Sequence, residues 1–195
     1  SVIIPAHDEE LAIGACLEEM TRGMAPGELD IVVVANACSD RTATIARGFG
    51  SPVRVVETAR ASKIHALRLG DEQARHFPRF YVDADVLLPI ESIRRVGEAL
   101  DRGDCLAAAP RMRVDTSHSS WAVRAYYEIW TRLPYHRAGM IGSGVYAMSK
   151  AGRERFGEFP EIVSDDGFVR LQFAPAERAT VESAWFMIAA PTHLA

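Results

Sequence analysis

No apolar run in this sequence approaches the roughly 20 residues that a helix needs to cross a bilayer, so a membrane span is not expected. Cysteine is scarce. Cys16, Cys38 and Cys105 stand far apart and are odd in number. They form neither a metal-ligand spacing nor a disulfide framework, which points to a reducing, cytoplasmic setting. A surplus of one charge is also missing: 22 basic and 26 acidic residues are mixed along the chain for a net −4. A duplex binder carries a basic stripe, and nucleic acid is therefore not expected as a partner. There is no start methionine and no secretory leader; the chain opens directly on "SVIIP". It reads as a piece of a longer protein, and peripheral attachment to the inner face of a membrane stays compatible with it. Internal repeats and low-complexity linkers are absent too, so residues 1–195 are expected to form one domain.

What is present alternates. "SVII" reads as a short buried strand, and "DEELAIGACLEEMTRG" as a helix that Asp8 would cap, with Ile13, Leu17, Met20 and Met24 recurring at helical spacing. "LDIVVVA" is a β-branched run of the kind covered on both faces. "SDRTATIARGF" follows as a helix with Ser39 or Asp40 as cap, then "VRVVE" as a strand and "SKIHALRLGDEQARHF" as a helix. "RFYVD" is a fourth strand, and "PIESIRRVGEALDRG" a helix with proline in its first turn. This order predicts a mostly parallel sheet with helices on both faces, whose ligands bind beyond the carboxyl ends of the strands. The second half is less regular. "CLAAAPRMRV" reads as a strand leading outward and "SSWAVRAYYEIWTRLPYH" as a helix whose aromatic residues are expected in the core. "SGVYAMS" reads as a strand, "KAGRERFG" as a short helix, and "PEIVSDDGFVRLQF" places two carboxylates ahead of an amphipathic turn.

The fourth strand poses the chemical question, because "YVDADV" breaks off at two mutually repelling carboxylates, Asp83 and Asp85. Either Asp83 caps the next helix while Asp85 sits in a solvated turn, or a divalent cation lies against them. Magnesium is usually held by one or two carboxylates together with substrate phosphates and water.

The ordered set "IIPAHDEE", "VVVANACSDRT", "SKIHAL", "YVDADV" and "VSDDGFVRLQF" resembles the family-2 nucleotide-sugar glycosyltransferases over nearly the whole chain. That resemblance implies a single-domain, Rossmann-like GT-A fold and an inverting transfer from a nucleoside-diphosphate sugar to an acceptor hydroxyl, with Mg2+ or Mn2+ as cofactor. Residues 1–110 would be the nucleotide-binding half and residues 111–195 an acceptor half that continues beyond the last residue. Pro5, Ala6 and Glu9 would line the nucleoside pocket. Asn36 stands where many relatives carry an aspartate that reads the base; its amide could still satisfy a uracil imide edge, which favours UDP. Asp40 matches the later acidic position, and Lys63 the basic residue that faces the nucleotide. Asp83 would approach the ribose or the metal, Asp85 would ligate the metal, and Asp166 would be the catalytic base. His193 is a further candidate ligand. Asp40, Lys63, Asp166 and His193 also have plainer readings, as helix caps, a surface lysine and a turn residue.

The Gln-x-x-Arg-Trp pattern of processive synthases does not occur, so single addition is expected. Two rivals stand beside this reading. A nucleotidyltransferase would carry a glycine-rich, basic loop after the first strand, and "PAHDEE" is acidic and lacks glycine. A non-catalytic nucleotide-sugar binding module would not need the three aspartates.

Overall fold

The computed structural model describes residues 1–133 and 143–193. Each β-branched run became a strand. β1 (Val2–Ala6), β2 (Ile31–Asn36), β3 (Val53–Thr58) and β4 (Arg79–Val82) are joined by α1 (Ile13–Thr21), α2 (Thr42–Gly48) and α3 (Lys63–Gln73). α4 (Ile90–Asp101), β5 (Ala107–Asp115), α5 (Trp121–Trp130), β6 (Val145–Met148), α6 (Lys150–Arg153), α7 (Asp165–Leu171) and β7 (Arg178–Ala189) complete the order. The strands form one sheet, β3-β2-β1-β4-β6-β5-β7, in which β6 runs antiparallel to both its neighbours and every other pairing is parallel.

Both faces are covered, as the pattern predicts. On one face Ile13, Leu17 and Met20 of α1 and Ile93, Val96 and Leu100 of α4 pack against Val2, Ile4, Val33 and Val82. On the other, Ile64 and Leu67 of α3 and Val169 of α7 pack against Ile3, Tyr81 and Tyr146. Among the described residues no helix is long and apolar enough to cross a membrane.

Several expectations are corrected. Asp8 does not cap α1, which begins at Ile13 after Ala12. With φ of 52° Asp8 turns the chain, and its carboxylate instead accepts the backbone N–H of Ser39 at 2.7 Å. The second helix starts later than expected, after Arg41, although Asp40 still accepts the N–H of Thr42 at 2.9 Å. α3 stops at Gln73, four residues short of Phe77; the residue before Pro78 is disfavoured in helical conformation. Pro89 precedes α4 rather than lying within it.

Two differences are larger. β7, the longest strand at 12 residues, was not foreseen, because a bulge breaks its alternation. Its register with β5 jumps from Pro110↔Val181 to Arg111↔Trp185. The aromatic residues of α5 are not core: Trp121 is 82% and Tyr126 49% exposed, and Val123 is the buried residue of that helix. The end of the expected helix, 134–136, lies outside the described residues.

Candidate functional site

A cleft of about 430 Å³ opens beyond the carboxyl ends of β1, β2 and β4, lined by Pro5, His7, Glu9, Asn36, Ala61, Ser62, Lys63, Asp83, Ala84 and Asp85. Pro5, Glu9, Asn36, Lys63, Asp83 and Asp85 had been singled out from the sequence, and the fold brings them to one place. Ala6 is buried beneath them, and its carbonyl accepts the Nδ2–H of Asn36 at 2.7 Å. His7, to which the sequence reading gave no role, donates from Nδ1 to the Asn36 carbonyl at 2.7 Å. The signal for it was its place in the same strand-end turn. Asp40 is not among the lining residues. It stabilises the rim, accepting N–H groups from Glu10 and Thr42 at 2.9 Å each. His193 is exposed and lies outside the cleft lining.

Lys63 enters the cleft because Ser62 starts α3 there, its side chain accepting the N–H of His65 at 3.2 Å. Its ammonium lies 2.7 Å from Asp83 Oδ1 and 3.1 Å from Asp165 Oδ1. Burial alone would lower its pKa, but the two carboxylates outweigh it and hold the group well above the ordinary lysine range. Asp83 moves the other way from the usual carboxylate. Burial raises its pKa, Lys63 offsets part of that, and Asp165 and Asp85 push it further up. Its backbone is fixed by Gly144, whose carbonyl accepts the Asp83 N–H at 2.8 Å. Gly144 has φ of +100°, and a Cβ there would come within 3.0 Å of Val86 and 3.4 Å of Asp83 Oδ2, so only glycine fits this approach.

Negative potential accumulates on the opposite wall. Glu9 is raised by burial and then by Asp85, Asp83 and Asp40. Cys16, buried beneath, is pushed up to about 12 by burial and then by Asp85, Asp83 and Glu9. Asp85 is exposed, and no basic side chain among the described residues pairs with it. Lys63 meets only Asp83 among these hard oxygen donors, and the repulsion that remains around Asp85 and Glu9 suits a divalent cation such as Mg2+ or Mn2+. Among the described residues Asp83 and Asp85 do not belong to a three-ligand cluster. The described side chains that do cluster in that way are Asp8, Cys38 and Asp40 at the rim.

The "SDD" stretch forms the start of α7, with Ser164 as its cap accepting the N–H of Gly167 at 3.2 Å. Its two carboxylates part company. Asp165 is 4% exposed; besides Lys63 it accepts the Tyr146 hydroxyl at 2.8 Å. Burial, and then Asp165, push the Tyr146 phenol well above its ordinary pKa, so it stays a donor. Asp166 is half-buried and accepts the N–H groups of Ser143 at 3.0 Å and Gly167 at 2.7 Å and the Ser164 hydroxyl at 2.6 Å.

Comparison with known proteins gives this geometry a context. The sequence profile of glycosyl transferase family 2 matches residues 1–155. The 4,4'-diaponeurosporenoate glycosyltransferase of Staphylococcus aureus is 36% identical over 90 residues, 44% of this chain and 24% of that protein. The chain thus spans about a quarter of the length of the curated relatives it matches. In fold it is similar to a mannosyltransferase from Pyrobaculum calidifontis in complex with GDP-Man and Mn2+. The TM-score is 0.76 at 24% identity, over 97% of this chain and 56% of that one. It is also similar to S. aureus TarS 1-349 in complex with UDP, with a TM-score of 0.72 at 15% identity, over 96% of this chain and 59% of that one. The single α/β domain is of the GT-A type that these structures share.

Proposed function

The chain belongs to glycosyl transferase family 2, and from that premise we propose that it moves a sugar from a nucleoside-diphosphate sugar to an acceptor hydroxyl with inversion. One observation carries the reading: Glu9, Asn36, Lys63, Asp83 and Asp85, from separate stretches of chain, line one cleft where open α/β sheets receive nucleotides. Residues 1–110 supply the nucleotide-binding half and residues 111–195 the acceptor half. The two solved relatives hold GDP-Man and UDP, which favours a nucleoside diphosphate as the donor's leaving group. Asn36 favours uridine, since its amide oxygen can accept from an imide N–H while Nδ2 stays on Ala6.

Asp85, with Asp83 beside it, would hold Mg2+ or Mn2+, the latter present in the mannosyltransferase complex. A bound cation supplies charge neutralisation to a departing diphosphate. The chain's own residues do the rest. Lys63 keeps the Asp83 carboxylate oriented by its 2.7 Å contact. Asp166 takes the proton of the acceptor hydroxyl, whose oxygen attacks the anomeric carbon from the face opposite the nucleotide as the bond to the diphosphate oxygen breaks. General-base assistance of this kind contributes about 10²–10⁴-fold. Asp165, both of whose oxygens are engaged by Lys63 and Tyr146, holds the helix that carries the base.

The test is a hydrolysis screen of UDP-, GDP- and dTDP-sugars in manganese, read as nucleoside diphosphate released. Slow consumption of a UDP-sugar is expected. A chain that binds nucleotide sugars but consumes none, with or without added hydroxyl acceptors, would be a binding module instead.

A further inference from the structure

A second concavity, of about 560 Å³, opens between α5 and the outer halves of β5 and β7. Arg111 and Arg113 of β5, Arg124 and Tyr127 of α5, and Trp185 of β7 line it. The side of the sheet it occupies follows from alternation. Ala108 and Met112 of β5 and Ala184, Phe186 and Ile188 of β7 pack into the cluster shared with α1 and α4. Ala107 and Ala109 pack with Tyr146 and Val169 on the opposite side. Arg111, Arg113 and Trp185 therefore face the side that carries α7 and Asp166, at the carboxyl end of the sheet. Backbone bonds between Leu87 and Met187, 3.0 and 2.9 Å, bring this end of β7 beside the turn that follows Asp85.

The charges in the concavity do not cancel. Its carboxylates are Glu128 and Glu182. Glu128 is tied to Arg132 at 2.8 Å and Glu182 to Arg111 at 3.4 Å. Arg113 lays its guanidinium over the Trp185 ring, 4.5 Å from the centroid. Stacking of this kind uses the face of the ion and leaves its in-plane N–H donors available. Arg124 donates to the carbonyls of Ser119 and Ser117 at 3.0 and 3.2 Å, which satisfies N–H groups and leaves the charge. Arg113 and Arg124 have no carboxylate partner among the described residues.

We propose that this concavity receives a phosphate group carried by the acceptor. Arg113 and Arg124 are its ionic partners, and Trp185 and Tyr127 form the apolar wall for the part of the acceptor next to it. Two guanidinium groups approaching from different elements match an anion with several outward oxygens. The inference rests on the glycosyl-transfer reading and names the chemical class of its acceptor; the reacting hydroxyl would lie toward Asp166.

The test is calorimetry with sn-glycerol 3-phosphate on protein saturated with UDP and Mn2+, so that the donor cleft is filled, and again without UDP. Glycerol is the neutral control. Arg102→Gln, which alters an exposed arginine paired with Asp104 at 2.8 Å near the end of α4, controls for loss of charge alone. Saturable binding is expected that weakens at least about tenfold in Arg113→Gln and in Arg124→Gln, persists in Arg102→Gln and is absent for glycerol. A second arm measures sedimentation with phosphatidylcholine vesicles, with and without phosphatidic acid. Arginine-dependent capture by phosphatidic acid with weak glycerol phosphate binding places the phosphate on a lipid; the reverse places it on a soluble ester. If wild type binds neither probe, or Arg113→Gln and Arg124→Gln bind as wild type does, the proposal is overturned. UDP binding in Mn2+, measured on the same samples, reports the donor reading separately. Its absence beside intact glycerol phosphate binding would sink that reading and leave an arginine site.

Discussion

Asp165 and Asp166 stand side by side in the first turn of α7, yet Asp165 is locked between Lys63 and Tyr146 while Asp166 is half-buried at the turn's surface. Substituting each should therefore give opposite signatures. Asp166→Asn keeps the shape and can keep one oxygen on Ser164 and Gly167, but it turns an amide nitrogen toward the Ser143 N–H and removes the basic oxygen, so donor affinity should fall only slightly while transfer falls about 10²-fold or more. Asp165→Asn should lower stability by about 1–3 kcal/mol, because the buried carboxylate that accepts from Lys63 and from the buried Tyr146 hydroxyl is lost, with the smaller loss of turnover. Urea midpoints and initial rates on both variants check this, and an inactive Asp165→Asn beside an active Asp166→Asn would move the base by one residue. Asp85→Ala makes a second residue-scale prediction. UDP affinity should drop in manganese and stay nearly unchanged in chelator, and equal affinity of the wild type in both media would remove the metal from the mechanism. Much of this site was legible, because Glu9, Asn36, Asp83 and Asp85 each fall where a strand ends. The clamp by Lys63 was not legible. Its partners lie 20 and 102 positions away, and no local pattern encodes such a meeting.

Elements lock through a few close approaches. Gly70 of α3 lies so near β1 that a Cβ would stand 2.4 Å from Ile3 Cγ2 and 3.3 Å from Val34 Cγ2. Gly70→Ala, favourable for an isolated helix, should here destabilise by about 1–3 kcal/mol through overpacking, read as a lower urea midpoint at unchanged slope. An unchanged or raised midpoint would mean that α3 shifts outward freely. Next to it, Asp71 accepts from Arg79 at 2.6 Å, the Tyr81 hydroxyl at 2.6 Å and Arg153 Nε at 2.9 Å, joining α3, β4 and α6. β1 to β4 were readable because continuous apolar runs between helical periods leave little choice. β7 escaped because its bulge shifts the alternation partway along. α5 was misjudged because Trp121 and Tyr126 are core residues by type, and only the tertiary structure decides that they face outward.

Across the molecule, the two ends of the sheet are electrostatically unlike. Where the strands begin, Arg54 pairs with Asp30 at 2.7 Å and Arg94 with Glu28 at 2.6 Å. Where they end, Lys63 alone among the described residues meets the cleft carboxylates, at Asp83 and Asp165, and Glu9 and Asp85 are left to repel their neighbours. Glu28 is held down to about 2 from its usual 4.5 by the Arg94 guanidinium and the N–H of Ala25. A carboxylate lowered in this way stabilises the folded chain fully above its unfolded pKa and loses that contribution as pH falls through the folded one. Glu28→Gln should therefore be less stable than wild type at neutral pH, and the difference should close between pH 4.5 and about 2. Denaturation midpoints across that range check it; a constant difference would mean that the pair acts through shape alone.

The order β3-β2-β1-β4-β6-β5-β7 also sets a timetable for the newborn chain. A ribosome delivers β4 and β5 in succession, but they are not neighbours. β6, at Val145–Met148, must thread between them, and β7 must close the far side of β5. Until both have emerged, β4 presents one bare edge and β5 has no partner on either side, and bare edges invite pairing with other chains. A fragment ending at residue 133 should accordingly scatter light and be held by chaperones at concentrations where residues 1–195 stay clear. A monodisperse fragment would mean that the first four strands manage their edge without help from the rest of the sheet.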